Sequence, residues 1–272
     1  MESTLISAEL AGGFVLSTAY LFFPQKVFDF QGVPHRADGV HYHMTRSLGC
    51  VWLASYLKLL LFRRSRDPLA LASHSASRLI AFLALLLNVC YGNFTARVFG
   101  DQPPLLDIAV YCFFILGSAA HLLLGRSQVK GLLDLSKSFG DHGFLFLQVD
   151  FLATFVFGLL WLAYPDWLLG FQTSGPEDEL HLHLTRAFGA MMVGDSFVSL
   201  TALGFRSDKD KTSVFVGRTV GTLVLLLFMV YTQTTTSAWT KAHIWFGMVG
   251  AGLWTGNSVL GYFTSKESEK ED

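Results

Sequence analysis

Two short stretches carry the residues best suited to chemistry. HYHMTRSLG begins at His41 and HLHLTRAFG at His181, and both His, the Thr, the Arg and the last Gly coincide at an offset of 140. Imidazoles ligate zinc, copper and iron, and a pair of them can hold a haem from opposed elements. In a regular helix residues i and i+2 point about 200° apart, whereas in extended chain they share a side. His41, His43, His181 and His183 can therefore offer four nitrogens to one divalent metal only from extended backbone. The competing reading makes them interfacial residues or cap contacts that titrate near neutral pH. Arg46 lies three residues after His43, and Arg186 three after His183, so each pair shares a helix face. An arginine in the first turn of a helix opposes the dipole and needs a partner near hydrocarbon. That partner is either an anion or headgroup, or a clamp through Asp38 in one copy and Glu177, Asp178 or Glu179 in the other.

Asp195 is the third candidate. It sits inside MMVGDSFVSL, and the matching position of the first copy is Ser55. An ionisable residue at membrane depth suggests a proton relay, a ligand contact or a hydrogen bond between helices. Arg46, Arg186, His43, His183 and Asp195 form the expected ligand-binding set. His41, His43, His181 and His183 form the candidate metal set.

The elements that position these residues are apolar spans. Of 272 residues, 51% are hydrophobic and only 15% charged, with a net charge of -1 and a mean hydropathy of +0.43. Those values exclude a disordered chain, a coiled coil and a basic nucleic-acid binder. Eight segments approach the roughly 20 residues that cross a bilayer. They are Leu10–Phe23, Met44–Phe62, Ser77–Val98, Leu106–Gly125, Phe144–Tyr164, His183–Gly204, Val214–Thr232 and His243–Phe263. Even span number puts both termini on one side. Fourteen Lys and Arg fall on that side, among them Lys58, Arg78 and Arg218, and six on the other. The positive-inside rule then makes the termini cytosolic and the His-x-His motifs luminal or exterior. Cys50, Cys90 and Cys112 lie in apolar runs and read as small hydrophobes.

The repeat extends beyond the motifs. Phe14/Phe155, Leu21/Leu162, Pro24/Pro165 and Glu9/Asp150 match at an offset of 141, Arg78/Arg218 at 140, and Gly125/Gly261 and His121/Asn257 at 136. Four spans per copy keep both copies in one orientation, related by a pseudo-twofold axis along the membrane normal. The expected division is a first module at 1–126, a cytosolic linker at 127–143, a second module at 144–264 and an acidic tail at 265–272. The stretches AYLFFPQKVFDF…TRSLG and WLAYPDWLLGFQ…TRAFG have an apolar helix ending in Pro, a short loop and then Arg-x-x-Gly. In this each half resembles the DoxX-like four-helix membrane modules. That resemblance implies an all-α fold and names no activity.

No nucleotide loop, HExxH, nucleophile elbow or CxxC occurs. No catalytic residue and no cofactor are therefore expected. The leading expectation is a multi-pass membrane protein that binds or carries a lipid or small amphiphile. The alternatives are a redox protein using haem or a divalent metal at the paired histidines, and a structural or assembly protein.

Overall fold

The computed structural model describes residues 2–31, 37–99, 103–124 and 145–271, with side chains from 4 to 266 among them. The predicted linker at 127–143 lies outside the described residues, as do Arg36, Arg126, Lys130 and Lys137 of the orientation count. The described chain is a helical bundle. Its elements are α1 (Glu2–Phe22), α2 (Pro24–Gln31), α3 (Gly39–Phe62), α4 (Pro68–Phe94) and α5 (Leu105–Leu124). There follow α6 (Leu145–Ala163), α7 (Pro165–Gly170), α8 (Glu179–Ala202), α9 (Asp208–Thr235) and α10 (Lys241–His243). A π-helical turn (Ile244–Met248) then leads into α11 (Val249–Glu271).

Local chemistry sets the boundaries. Pro24 and Pro165 cannot continue the preceding helices and instead start α2 and α7. Asp67 caps α4, accepting from Leu69 N–H ahead of Pro68 in the first turn. Asp38 and Asp178 close capping boxes on α3 and α8, with histidine as the reciprocal partner in each. Helices α3 and α8 begin 140 residues apart, as do α4 and α9.

Among the described residues five helices are long and apolar enough to cross a membrane: Thr4–Phe22 of α1, then α4, α5, α6 and α9. Leu87, Leu116, Leu152, Leu227 and Leu253 point outward on the bundle and are more than half exposed, the inverse of a soluble surface. Helices α3 and α8 are not among the five. They carry the polar residues and lie at the centre, packed on each other, with α4 against α8 and α9 against α3. A helix covered by protein needs no apolar exterior. The outer helices α1 and α5 flank α3 and α4, while α6 and α11 flank α8 and α9. The larger apolar core joins Leu10, Trp52 and Phe82 to Leu184, Met191 and Leu225, and a second gathers Phe62, Leu147, Val198 and Phe215. The two predicted modules thus interlock through their inner helices.

Close approach depends on glycine at the two matched positions. A Cβ on Gly189 would lie 2.6 Å from Leu162 N and 2.7 Å from Gly158 O, both backbone atoms of α6. On Gly49 it would meet Tyr20 Cβ at 3.0 Å and Leu21 N at 3.2 Å. Small residues let helix backbones touch in this way. Gly189→Ala is expected to destabilise the bundle by about 1–3 kcal/mol, more than Gly49→Ala. Gly250→Ala, with nothing within 4 Å, should leave the melting temperature unchanged in detergent thermal denaturation.

Candidate functional site

The head of the bundle, where α3 and α8 begin, is closed by a four-residue clasp. The rings of His41 and His181 stack with centroids 3.6 Å apart. His41 Nδ1 accepts from Asp38 N–H at 3.1 Å, so its Nε2 carries the proton that it donates to Asp178 Oδ1 at 3.1 Å. His181 does the reverse, with Nδ1 accepting from Asp178 N–H at 3.0 Å and Nε2 donating to Asp38 Oδ1 at 3.0 Å. Each capping residue of one central helix is thereby tied to the other. Asp38, His41 and His181 present three potential ligand atoms within 4.8 Å of one another. Their rings are stacked, however, so the in-plane lone pairs lie in nearly parallel planes and do not aim at one point.

Helical geometry sends His43 and His183 elsewhere. His43 contacts Thr232 Oγ1 at 3.3 Å and packs against Trp239 and His243. His183 meets the edge of Phe99 and closes on Gly92. The four predicted nitrogens are not brought together. The two arginines are also apart. Arg46 donates to Leu21 O at 3.3 Å, a carbonyl at the end of α1, and lies over Phe228 and Tyr231. Arg186 lies over Tyr91. Neither has a carboxylate partner among the described residues. Cation–π contact and a helix-end carbonyl serve in its place.

Asp195 is nowhere near them. It joins a buried charge group close to the other end of the bundle. Lys58 Nζ is 2.5 Å from Asp195 Oδ1, and Arg218 Nη1 bonds Asp195 Oδ2. Arg218 Nε and Nη2 hold Asp150 at 3.0 Å each. A second pair, Arg78 and Glu9 at 2.7 Å, lies on the α1 side. All six side chains are at most 2% exposed. Lys58, Arg78 and Arg218 had been counted with the flanking cations. Removing these three from the fourteen leaves eleven against six, so the bias keeps its direction. The sequence did hold a signal: Glu9/Asp150 and Arg78/Arg218 are opposite charges repeated in apolar runs at nearly one offset.

A cavity of about 460 Å³ opens at the head. Asp38, Gly39, His181, Thr173, Glu177 and Thr236 are among its lining residues, and its size is that of a small-molecule site. An antiparallel bridge between Thr173 and Trp239 ties two of its loops, reinforced by Ser174 N–H to Ala238 O at 2.9 Å.

The fold and site define a class: a bundle of largely apolar helices around a buried ionic group and a polar-mouthed cavity. The family model described as "Domain of unknown function (DUF8292)" matches residues 7–263, and the chain belongs to that family. No curated protein and no solved structure matches the chain.

The clasp sets an acid sensitivity. Burial raises the Asp38 pKa, but hydrogen bonds from His181 and the His41 N–H, with the charges of both rings, outweigh it and hold the group at about 2. Burial lowers the His41 pKa, as does the His181 charge, and the Asp178 and Asp38 carboxylates offset only part of this. His41 lies ahead of the apolar run that starts at Met44. Both shifts have one sign: the unfolded chain binds more protons, so their contribution is full at neutral pH. It falls first below the ordinary histidine range of about 6.5, then below the ordinary carboxylate range of about 4. Melting temperature recorded against pH should drop on acidification. Asp38→Asn with Asp178→Asn should lower the neutral-pH value and flatten that acid limb.

Proposed function

We propose that the protein is an integral multi-pass membrane protein that binds or carries a small polar or amphiphilic ligand, such as a lipid, at the cavity on its head. In this reading α1, α3, α4 and α5 span with their counterparts α6, α8, α9 and α11, eight spans in two modules. The pseudo-twofold axis passes through the clasp, and a likeness to DoxX-like modules fits that arrangement. Both termini are cytosolic and the head faces the lumen or exterior, as the charge bias indicates.

The carrying observation is the 460 Å³ cavity, which has Asp38, His181 and Glu177 in a wall otherwise built of Thr, Ser, Gly, Ala, Val40 and Pro176. Few convergent polar groups in a concave site are the mark of ligand orientation. The expected ligand set shifts accordingly. His181 and Asp38 line the mouth, whereas Arg46, Arg186, His43, His183 and Asp195 support the helices around it. The ring of outward-facing leucines supplies a lipid-facing surface from which an amphiphile would approach.

Gly175 lines this cavity, and a Cβ there meets nothing within 4 Å. Gly175→Trp should therefore fill the cavity without disturbing the fold. Native mass spectrometry of the protein extracted in mild detergent should show a co-purified small molecule or lipid in the wild type. In Gly175→Trp its occupancy should fall at least about tenfold, a loss of about 1.4 kcal/mol. Equal occupancy in both proteins contradicts the assignment of the cavity.

A further inference from the structure

The two buried arginine–carboxylate pairs differ in how completely they are closed. Around Asp150 every valence is used. Its oxygens take Arg218, Trp254 Nε1 at 2.7 Å and Ser199 Oγ, and Arg218 also donates to the Asp195 carboxylate and carbonyl. The corresponding pair has one bond, Arg78 Nη1 to Glu9 Oε2. Glu9 Oε1 and Arg78 Nε and Nη2 are buried with no hydrogen-bond partner among the described residues. A buried polar group without a partner costs about 1–3 kcal/mol, more when charged, and calls for a cause.

The repeat shows how the difference arises. At an offset of 136, Ser118 stands where the second copy has Trp254, and at 140 Leu59 stands for Ser199. Both donors that close Asp150 are therefore missing beside Glu9. Ser118 Oγ itself has no partner among the described residues. Two imidazoles take the place of non-titrating residues: His121 for Asn257 and His74 for Val214. His121 Nδ1 lies 4.0 Å from Glu9 Oε2, a gap that one bridging water closes. His74 is fully buried with neither ring nitrogen bonded among the described residues, and the charges that act on it are Arg78, Lys58 and His121. Tyr56 of α3 faces the Arg78 guanidinium, and Gly117 leaves room on α5 for the Glu9 carboxylate.

We propose that Glu9 and His121 form a proton-exchange site inside the bundle, while Asp150 and Arg218 are the locked counterpart. A proton leaves the imidazolium N–H of His121 and bonds to the Glu9 carboxylate, giving a neutral imidazole and a carboxylic acid. Return of the same proton restores both, and no electrons move. Protonation releases Arg78 from its charge partner, so the site exchanges a proton for a change in the α1–α4 contact.

Infrared difference spectra of the protein in lipid nanodiscs, between about pH 8 and about pH 5, test this. A protonated-carboxyl band should grow on acidification, shift in D2O and vanish in Glu9→Gln. A wild type with no such band overturns the proposal. So does a band that persists in Glu9→Gln, which would belong to another carboxyl such as Asp107. His121→Asn copies the second module and leaves the Glu9–Arg78 bond intact. It should change the size of the band at the acid end, and an unchanged band overturns the relay even if Glu9→Gln fails to fold.

Discussion

Glu9, Asp150, Asp195, Lys58, Arg78 and Arg218 are buried in the bundle, and each meets an opposite charge within it. An isolated ion in such surroundings is heavily penalised, and removal of one partner of a buried pair costs about 3–5 kcal/mol. Asp195 carries most of this constraint because it answers two cations, Lys58 from α3 and Arg218 from α9. Lys58 lies on α3, Asp195 on α8 and Arg218 on α9. The ionic group is thus formed only when α3, α8 and α9 lie together, and it fixes which faces of the central helices meet.

The clasp at the head does the complementary task. His41 and His181 cap the other helix's N-cap carboxylate as well as their own N-cap N–H groups. The central helices are pinned at both ends, by hydrogen bonds outside the apolar layer and by charge inside it. Between these ends the packing is tight enough that Gly189 touches the α6 backbone. Rigid central helices leave the loops at 173–177 and 235–238 to shape the cavity, which is where variation in a ligand site is easiest to accommodate.

Much of the helical layout was legible in the sequence. Apolar runs fell on helices, five of them among the described residues long and apolar enough to cross a membrane, and Pro24 and Pro165 marked the breaks after α1 and α6. The His-x-His-x-Thr-Arg repeat located the start of the two central helices. The i, i+2 argument also held for the histidines: His41 and His43 point to different neighbours. The pairing of the buried charges was not read, because hydropathy treats Lys58 and Arg218 as flanks of a span. Only the packing of α3 against α9 and α8 turns them inward. The same holds for Arg46 and Arg186, whose partners are aromatic rings on α9 and α4. Periodicity within one helix carries no information about a face presented by a helix 185 or 95 residues away in the chain. Matching charges at a common offset, Glu9 with Asp150 and Arg78 with Arg218, was the one sequence signal that pointed to the ion pairs.

The charge pair between α3 and α8, Lys58 with Asp195, holds the bundle together. A double-mutant cycle on Lys58→Met and Asp195→Leu tests it directly through unfolding in detergent. Each single change leaves an uncompensated buried charge, while the double change leaves Arg218 paired with Asp150 alone. Each single variant should be strongly destabilised and the double variant distinctly more stable than the sum of the two losses, with a coupling of about 2–3 kcal/mol. Strictly additive losses would contradict the account, since Lys58 and Asp195 would then contribute independently of each other.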